Sequence, residues 1–135
     1  MTAVRFLQLY GASALTLFLI DLVWLGVVAK GFYQRHIGGL LRPEVRWGPG
    51  ILFYLLYVVA LIVFVVQPAL ERQSLERAVL FGAFFGLTAY ATYDLTSLAL
   101  IRDFPTLVAV VDMAWGTFLT ALVAAAGYGA GKFLT

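Results

Sequence analysis

The sequence predicts an all-α integral membrane protein, a four-helix up-and-down bundle. Three observations carry that expectation. Hydrophobic residues make up 63% of the 135 and charged residues only 12%, against about 45–50% and about 25% in soluble domains. Mean hydropathy is +0.97. The apolar residues gather into four runs, each near the roughly 20 residues that cross a bilayer, with most charges lying between them. A soluble core cannot absorb such an excess without large exposed apolar patches, so the expected solvent is lipid.

The first span is expected at 6–29, broken only by Gln8, Ser13, Thr16 and Asp21. Its apolar stretch is longer than the roughly 7–15 residues of a signal peptide and no small-x-small cleavage site follows, so it reads as a retained helix. The second, 49–66, is a near-continuous run of Ile, Leu, Phe, Tyr and Val. Pro49 suits the first helical position, where its missing N–H is not needed, and Gln67-Pro68 is expected to end the run. With no charge and few small residues, this helix reads as the most lipid-facing. The third span, 78–101, carries polar residues all round its Tyr90–Ser97 stretch, which predicts the most enclosed helix or one facing a second protomer. The fourth, 105–131, follows a tight turn at Arg102-Asp103. Gly82/Gly86 and Gly127/Gly131 are small-xxx-small pairs that permit close helix approach. The chain reads as a single transmembrane domain, 1–135.

Composition also excludes. The absence of cysteine removes disulfides and thiolate chemistry. The net charge of +2 rests on few, scattered basic residues, which argues against nucleic acid and for lipid phosphates as the neighbours of those cations. Five basic residues (Lys30, Arg35, Arg42, Arg46, Arg102) fall on the side of the first and third connections and four (Arg5, Arg72, Arg77, Lys132) on the side of the termini. That small bias leans towards both termini outside the cytoplasm.

Asp21, Asp94 and Asp112 lie inside the spans, where a carboxylate costs roughly 2.5–3.5 kcal/mol or more at the bilayer centre. At 1.5 Å of rise per residue, all three fall about 10–12 Å from the membrane edge under the basic first connection. Tyr54 and Tyr57 occupy that depth on the second helix. The Asp21 stripe holds Tyr10, Ser13, Ala14, Leu17 and Trp24; that of Asp94 holds Ala83, Gly86, Leu87, Tyr90 and Ser97; that of Asp112 holds Val108, Trp115, Gly116 and Leu119. Small and polar stripes mark bundle-facing sides. An internal echo appears as well: Asp21-Leu22-Val23-Trp24-Leu25-Gly26 and Asp112-Met113-Ala114-Trp115-Gly116 each place a Trp three residues after an Asp, so indole and carboxylate share a face.

Such a cluster can carry a proton, bind a cation or act as general acid and base. Its expected members are Asp21, Asp94 and Asp112 with Trp24, Trp115, Tyr54, Tyr57, Tyr90 and Tyr93 as walls. The structural alternative is that each Asp is a register-fixing hydrogen-bond partner. In the 30–48 connection, Arg35, His36, Arg42 and Arg46 are expected to hold a lipid headgroup or to lid the cluster, or else to be a solvated positive flank. No His/Asp/Glu spacing matches a metal motif, and neither a metal nor a cofactor is expected. No catalytic nucleophile motif is visible.

The segments Ile20–Gly26, Ala29-Lys30-Gly31-Phe32-Tyr33, Leu52–Tyr57, Tyr90–Thr96 and Val111–Gly116 together resemble a family of small bacterial predicted membrane proteins, domain of unknown function 2177. The resemblance covers nearly the whole chain. It implies a four-helix, multi-pass protein of the bacterial inner membrane and implies no activity. The function favoured by the residues is a small carrier or ligand-binding protein with a buried Asp/aromatic pocket in one leaflet. It would take a proton or a small cationic or lipid ligand, and four spans favour a homodimer. Two alternatives stand beside it: an enzyme acting on a lipid or isoprenoid, and an accessory subunit of a larger complex.

Overall fold

The computed structural model describes residues 2–41 and 46–134. It holds four helices long and apolar enough to cross a membrane: α1 (Ala3–Val28), α3 (Trp47–Glu71), α4 (Leu75–Leu100) and α5 (Thr106–Phe133). A short helix, α2 (Lys30–Ile37), lies between the first two spans. Among the described residues there is no strand, and the all-α membrane bundle is what the sequence predicts. Arg42 lies outside the described residues.

Local chemistry sets the helix ends. Thr2 caps α1 by accepting from the Arg5 N–H at 3.1 Å, and Ser74 caps α4 by accepting from the Arg77 N–H at 3.0 Å. Each supplies an oxygen to an otherwise orphaned first-turn donor. At the far end of α5, the Arg5 guanidinium donates to the Gly131 carbonyl at 3.2 Å, a cation placed on the negative end of a helix. The turn into α4 is closed by Gln73 at φ 50°, with the Gln73 and Ser74 N–H groups returning to Leu70 and Ala69.

Two spans contain a widened turn. In α3 the π-helical segment Ile62–Val66 precedes Pro68, and the helix runs on to Glu71 rather than stopping at Gln67-Pro68 as expected. Proline has no N–H to give its preceding turn. The Gln67 N–H reaches five residues back, to Ile62, and so the ladder is re-registered before the proline ring arrives. In α1, Trp24–Val28 is also π-helical, closed by the Ala29 N–H on the Trp24 carbonyl at 2.7 Å. There α1 gives way to α2.

The expected order of enclosure is corrected. The share of buried positions is highest in α5, at 39%, followed by α3 at 33%, with α4 at 22% and α1 at 17%. The second span is therefore no lipid-facing outlier: Tyr57, Val58, Leu61, Ile62, Val65 and Val66 join Leu9 and Leu17 of α1 and Leu119, Val123 and Ala124 of α5 in the main core. Lipid is as apolar as a protein core, so hydropathy does not separate the two faces. The polar residues of α4 misled for a related reason. Thr88, Thr92 and Thr96 are exposed and donate to the carbonyls of Phe84, Thr88 and Thr92 one turn back, a self-satisfied arrangement that tolerates hydrocarbon.

The closest helix pair is α4 with α5. A Cβ on Gly82 would stand 2.7 Å from the Ala124 Cβ and 3.1 Å from the Thr120 carbonyl. Gly86 abuts the Gly116 carbonyl and Thr120, and Gly127 faces Ser13 and Val66. Both small-residue pairs read from the sequence lie at such contacts. A second cluster of Ile37, Phe104, Val108 and Ala109 seats α2 against the α4–α5 turn.

Candidate functional site

The inward stripes converge much as the sequence expects. Asp21 is buried in register with Leu9, Ser13 and Leu17. Asp94 is buried with Gly82, Gly86 and Ser97, and Asp112 is half-buried on α5 beside the buried Val108, Gly116 and Leu119. Their surroundings differ sharply. Asp21 has two donors: the Tyr54 hydroxyl on Oδ2 at 2.5 Å and the Trp115 Nε1–H on Oδ1 at 3.3 Å. Asp112 has one, the Tyr33 hydroxyl on Oδ1 at 2.8 Å. Asp94 is 0% exposed, and among the described residues no N–H or hydroxyl donates to either of its carboxylate oxygens; its hydrogen-bonding neighbour is the Asp112 carboxyl. Asp94 and Asp112 stand close enough to interact electrostatically.

The two Asp-x-x-Trp segments meet. The Trp24 and Trp115 rings stack with centroids 4.2 Å apart and planes inclined by 8°. Each indole serves the other segment's acid. Trp115 donates to Asp21 directly, and Trp24 donates to the Tyr33 oxygen at 3.2 Å, which in turn donates to Asp112. A continuous chain follows: Asp112, Tyr33, Trp24, Trp115, Asp21, Tyr54. The antiparallel run of α1 and α5 and this exchange of partners give the echo a physical basis.

Of the remaining expected walls, Tyr57 is buried and bonds the Thr120 hydroxyl. Tyr90 is half-buried with its ring over Gly116, where a Cβ would overlap it. Tyr93 is 53% exposed and packs edge-on to Phe104 at 6.1 Å. Among the described residues, none of the expected basic side chains donates to Asp21 or Asp112. Arg35 and Arg46 are exposed. His36 is bound to its own helix, its Nδ1 2.8 Å from the Phe32 carbonyl and its ring 4.5 Å from the Phe32 ring. The donors to Asp21 and Asp112 are all neutral side chains. Among the described residues, no three His, Asp or Glu groups are placed to share a metal ion.

Two members escape the sequence reading. Tyr33 lies in the connection between the first two spans and was not among the expected walls of the cluster. Yet α2 folds back, and Tyr33 reaches Asp112 while Ile37, one turn on, enters the second cluster. The signal was present: Tyr33 and Ile37 form an i, i+4 apolar face between Ala29 and Gly38. Burial pushes the Tyr33 phenol well above the usual range; the Trp24 hydrogen bond opposes this, and the charge of Asp112 adds to it. Thr120 lies two turns beyond Asp112, on the same inward side of α5. Beside the cluster, an outward groove of about 390 Å³ is lined by Leu19, Ile20, Val23, Trp24, Val28 and Trp115.

Residues 6–129 match the family model described as Predicted membrane protein (DUF2177). No curated protein and no solved structure matches the chain.

Proposed function

We propose, for a chain that belongs to the DUF2177 family of predicted membrane proteins, that it is a small proton- or cation-binding carrier. Asp94 is the binding group and Asp112 its neighbour. The supporting observation is the fully buried Asp94 carboxylate, which has the Asp112 carboxyl beside it and, among the described residues, no N–H or hydroxyl donor. An isolated carboxylate in a dry interior is untenable by several kcal/mol or more, so the group takes up a proton or pairs with a cation. Asp21, with two neutral donors already in place, serves instead to hold α1 against α3 and α5. The membrane is that of the bacterial inner envelope. Because four spans are few for a complete path, the working unit is a homodimer.

The test is flux. Purified protein in liposomes loaded with a pH-sensitive dye should dissipate an imposed pH gradient faster than empty liposomes. Asp94→Asn should abolish the difference while leaving helicity unchanged. Equal flux from wild type and Asp94→Asn rules the carrier out. One observation favours a second reading, an enzyme or binding protein for a lipid or isoprenoid: a groove of about 390 Å³ lined by apolar side chains lies beside the Trp24–Trp115 stack. That reading predicts altered membrane lipid composition on deletion, independent of any gradient.

A further inference from the structure

Asp94 and Asp112 lie in the spans α4 and α5, and α2 lies outside the spans. Among the described side chains of α2, Tyr33 is the one that hydrogen-bonds to either acid. Its oxygen accepts from the Trp24 Nε1–H while its own hydroxyl donates to Asp112 Oδ1. The indole therefore uses one of the two phenol lone pairs and directs the O–H bond at the carboxylate. The second lone pair is left for a donor from the α2 side. The titratable groups that act on this phenol are Asp112 of α5 and Asp94 of α4.

We infer that Tyr33 is the proton relay between water on the α2 side and the Asp112–Asp94 pair. The inference rests on the proton-binding reading above and adds the route by which the pair is loaded. In the step, a hydronium ion on the α2 side gives a proton to the free lone pair of Tyr33 and becomes water. The O–H bond aimed at Asp112 breaks, and that proton bonds to Asp112 Oδ1. The phenol is neutral before and after, one proton having entered and one having left. Asp112 then passes its proton to Asp94, and rotation about the phenol C–O bond restores the starting geometry. Burial that keeps the phenol protonated suits a relay of this kind, which never needs a phenolate. Trp24 acts as a positioning residue, since among the groups of the relay it hydrogen-bonds Tyr33 alone.

The experiment uses the purified full chain in nanodiscs and reads the infrared carbonyl stretch of protonated carboxyl groups after transfer into deuterated water. A band lost in Asp94→Asn is assigned to the pair. In Tyr33→Phe, which keeps the ring and removes only the hydroxyl, the band should persist. Its deuterium shift should slow by about tenfold or more, the scale of losing a positioned acid–base group. Trp24→Phe, which keeps the hydroxyl and frees its orientation, should slow exchange by a smaller factor. Equal exchange rates in wild type and Tyr33→Phe, with the band present in both, overturn the relay and leave the proton site standing. Absence of any Asp94-dependent band in the wild type overturns both. Retained helicity and unfolding midpoint separate either result from a loss of fold.

Discussion

Replacing Asp94 with Ala should make the protein more stable. A carboxyl group with no N–H or hydroxyl donor among the described residues and only a second acid beside it loses its hydration with little recompense, a penalty of about 1–3 kcal/mol by protein mutational measures. Truncation to Ala removes it. The vacated space is on the order of 25 Å³, which at about 24 cal/mol per Å³ costs roughly 0.6 kcal/mol. Ala also exceeds Asp in helix propensity by up to about 0.7 kcal/mol, and Asp94 is mid-helix. The terms sum to a net gain of roughly 0.4–3 kcal/mol. The same truncation at Asp21 should run the other way, because it strands the Tyr54 hydroxyl and the Trp115 indole N–H. Side-chain bonds inside membranes average about 0.6 kcal/mol and reach about 1.7, so Asp21→Ala should lose roughly 1–3 kcal/mol. Reversible unfolding in mixed micelles by rising SDS fraction, followed by far-UV circular dichroism, measures both. A loss of about 1 kcal/mol or more in Asp94→Ala would mean that the carboxylate is a fastener, and the functional reading of Asp94 would go with it.

Gly86→Leu drives a side chain into the Gly116 carbonyl and Thr120 and should cost about 1–3 kcal/mol or more in the same titration; an unchanged midpoint would deny the close α4–α5 approach. Thr92→Val should move that midpoint by no more than about 0.5 kcal/mol, because the hydroxyl it deletes serves only its own helix. The pH dependence of Tyr33 has a definite sign. Its folded-state phenol titrates above the unfolded value of about 10, so the folded protein binds more protons and stability falls as pH rises beyond about 10. Tyr33→Phe should therefore lose less stability between about pH 10 and 12 than the wild type, and an identical alkaline decline would contradict the burial of that phenol.

How much of this was legible beforehand depended on which force set each feature. Span number and the depth of the three acids follow from hydropathy and helical rise, and the sequence contains both. Tyr54 meets Asp21 at the expected level for that reason. What lipid-facing and core-facing surfaces share is apolarity, so the burial of Leu61, Ile62 and Val66 had no signature beside the equally apolar Leu52 and Leu56. Proline reads as a stop unless the backbone can re-register, and the π turn before Pro68 leaves no mark in composition. Tyr33 was missed because α2 is amphipathic over only two turns, too short for periodicity to distinguish a helix at the headgroups from one folded beneath the bundle.

The three acids are solved in three ways, and the difference assigns their roles. Two donors make Asp21 the best satisfied, and both come from other helices, Tyr54 of α3 and Trp115 of α5. It is tied to fixed groups and has little to offer a ligand. Asp112 receives one donor, and that donor sits on the short helix that has least of the bundle around it. Asp94, the most deeply enclosed, receives none. If all three merely fixed register, satisfaction should rise with burial, because the penalty for an unpaired group is greatest where water is scarcest. Here it is the most buried acid that goes unpaired. A chain that places donors beside Asp21 and, among the described residues, none beside Asp94 is what the proposed binding role of Asp94 expects.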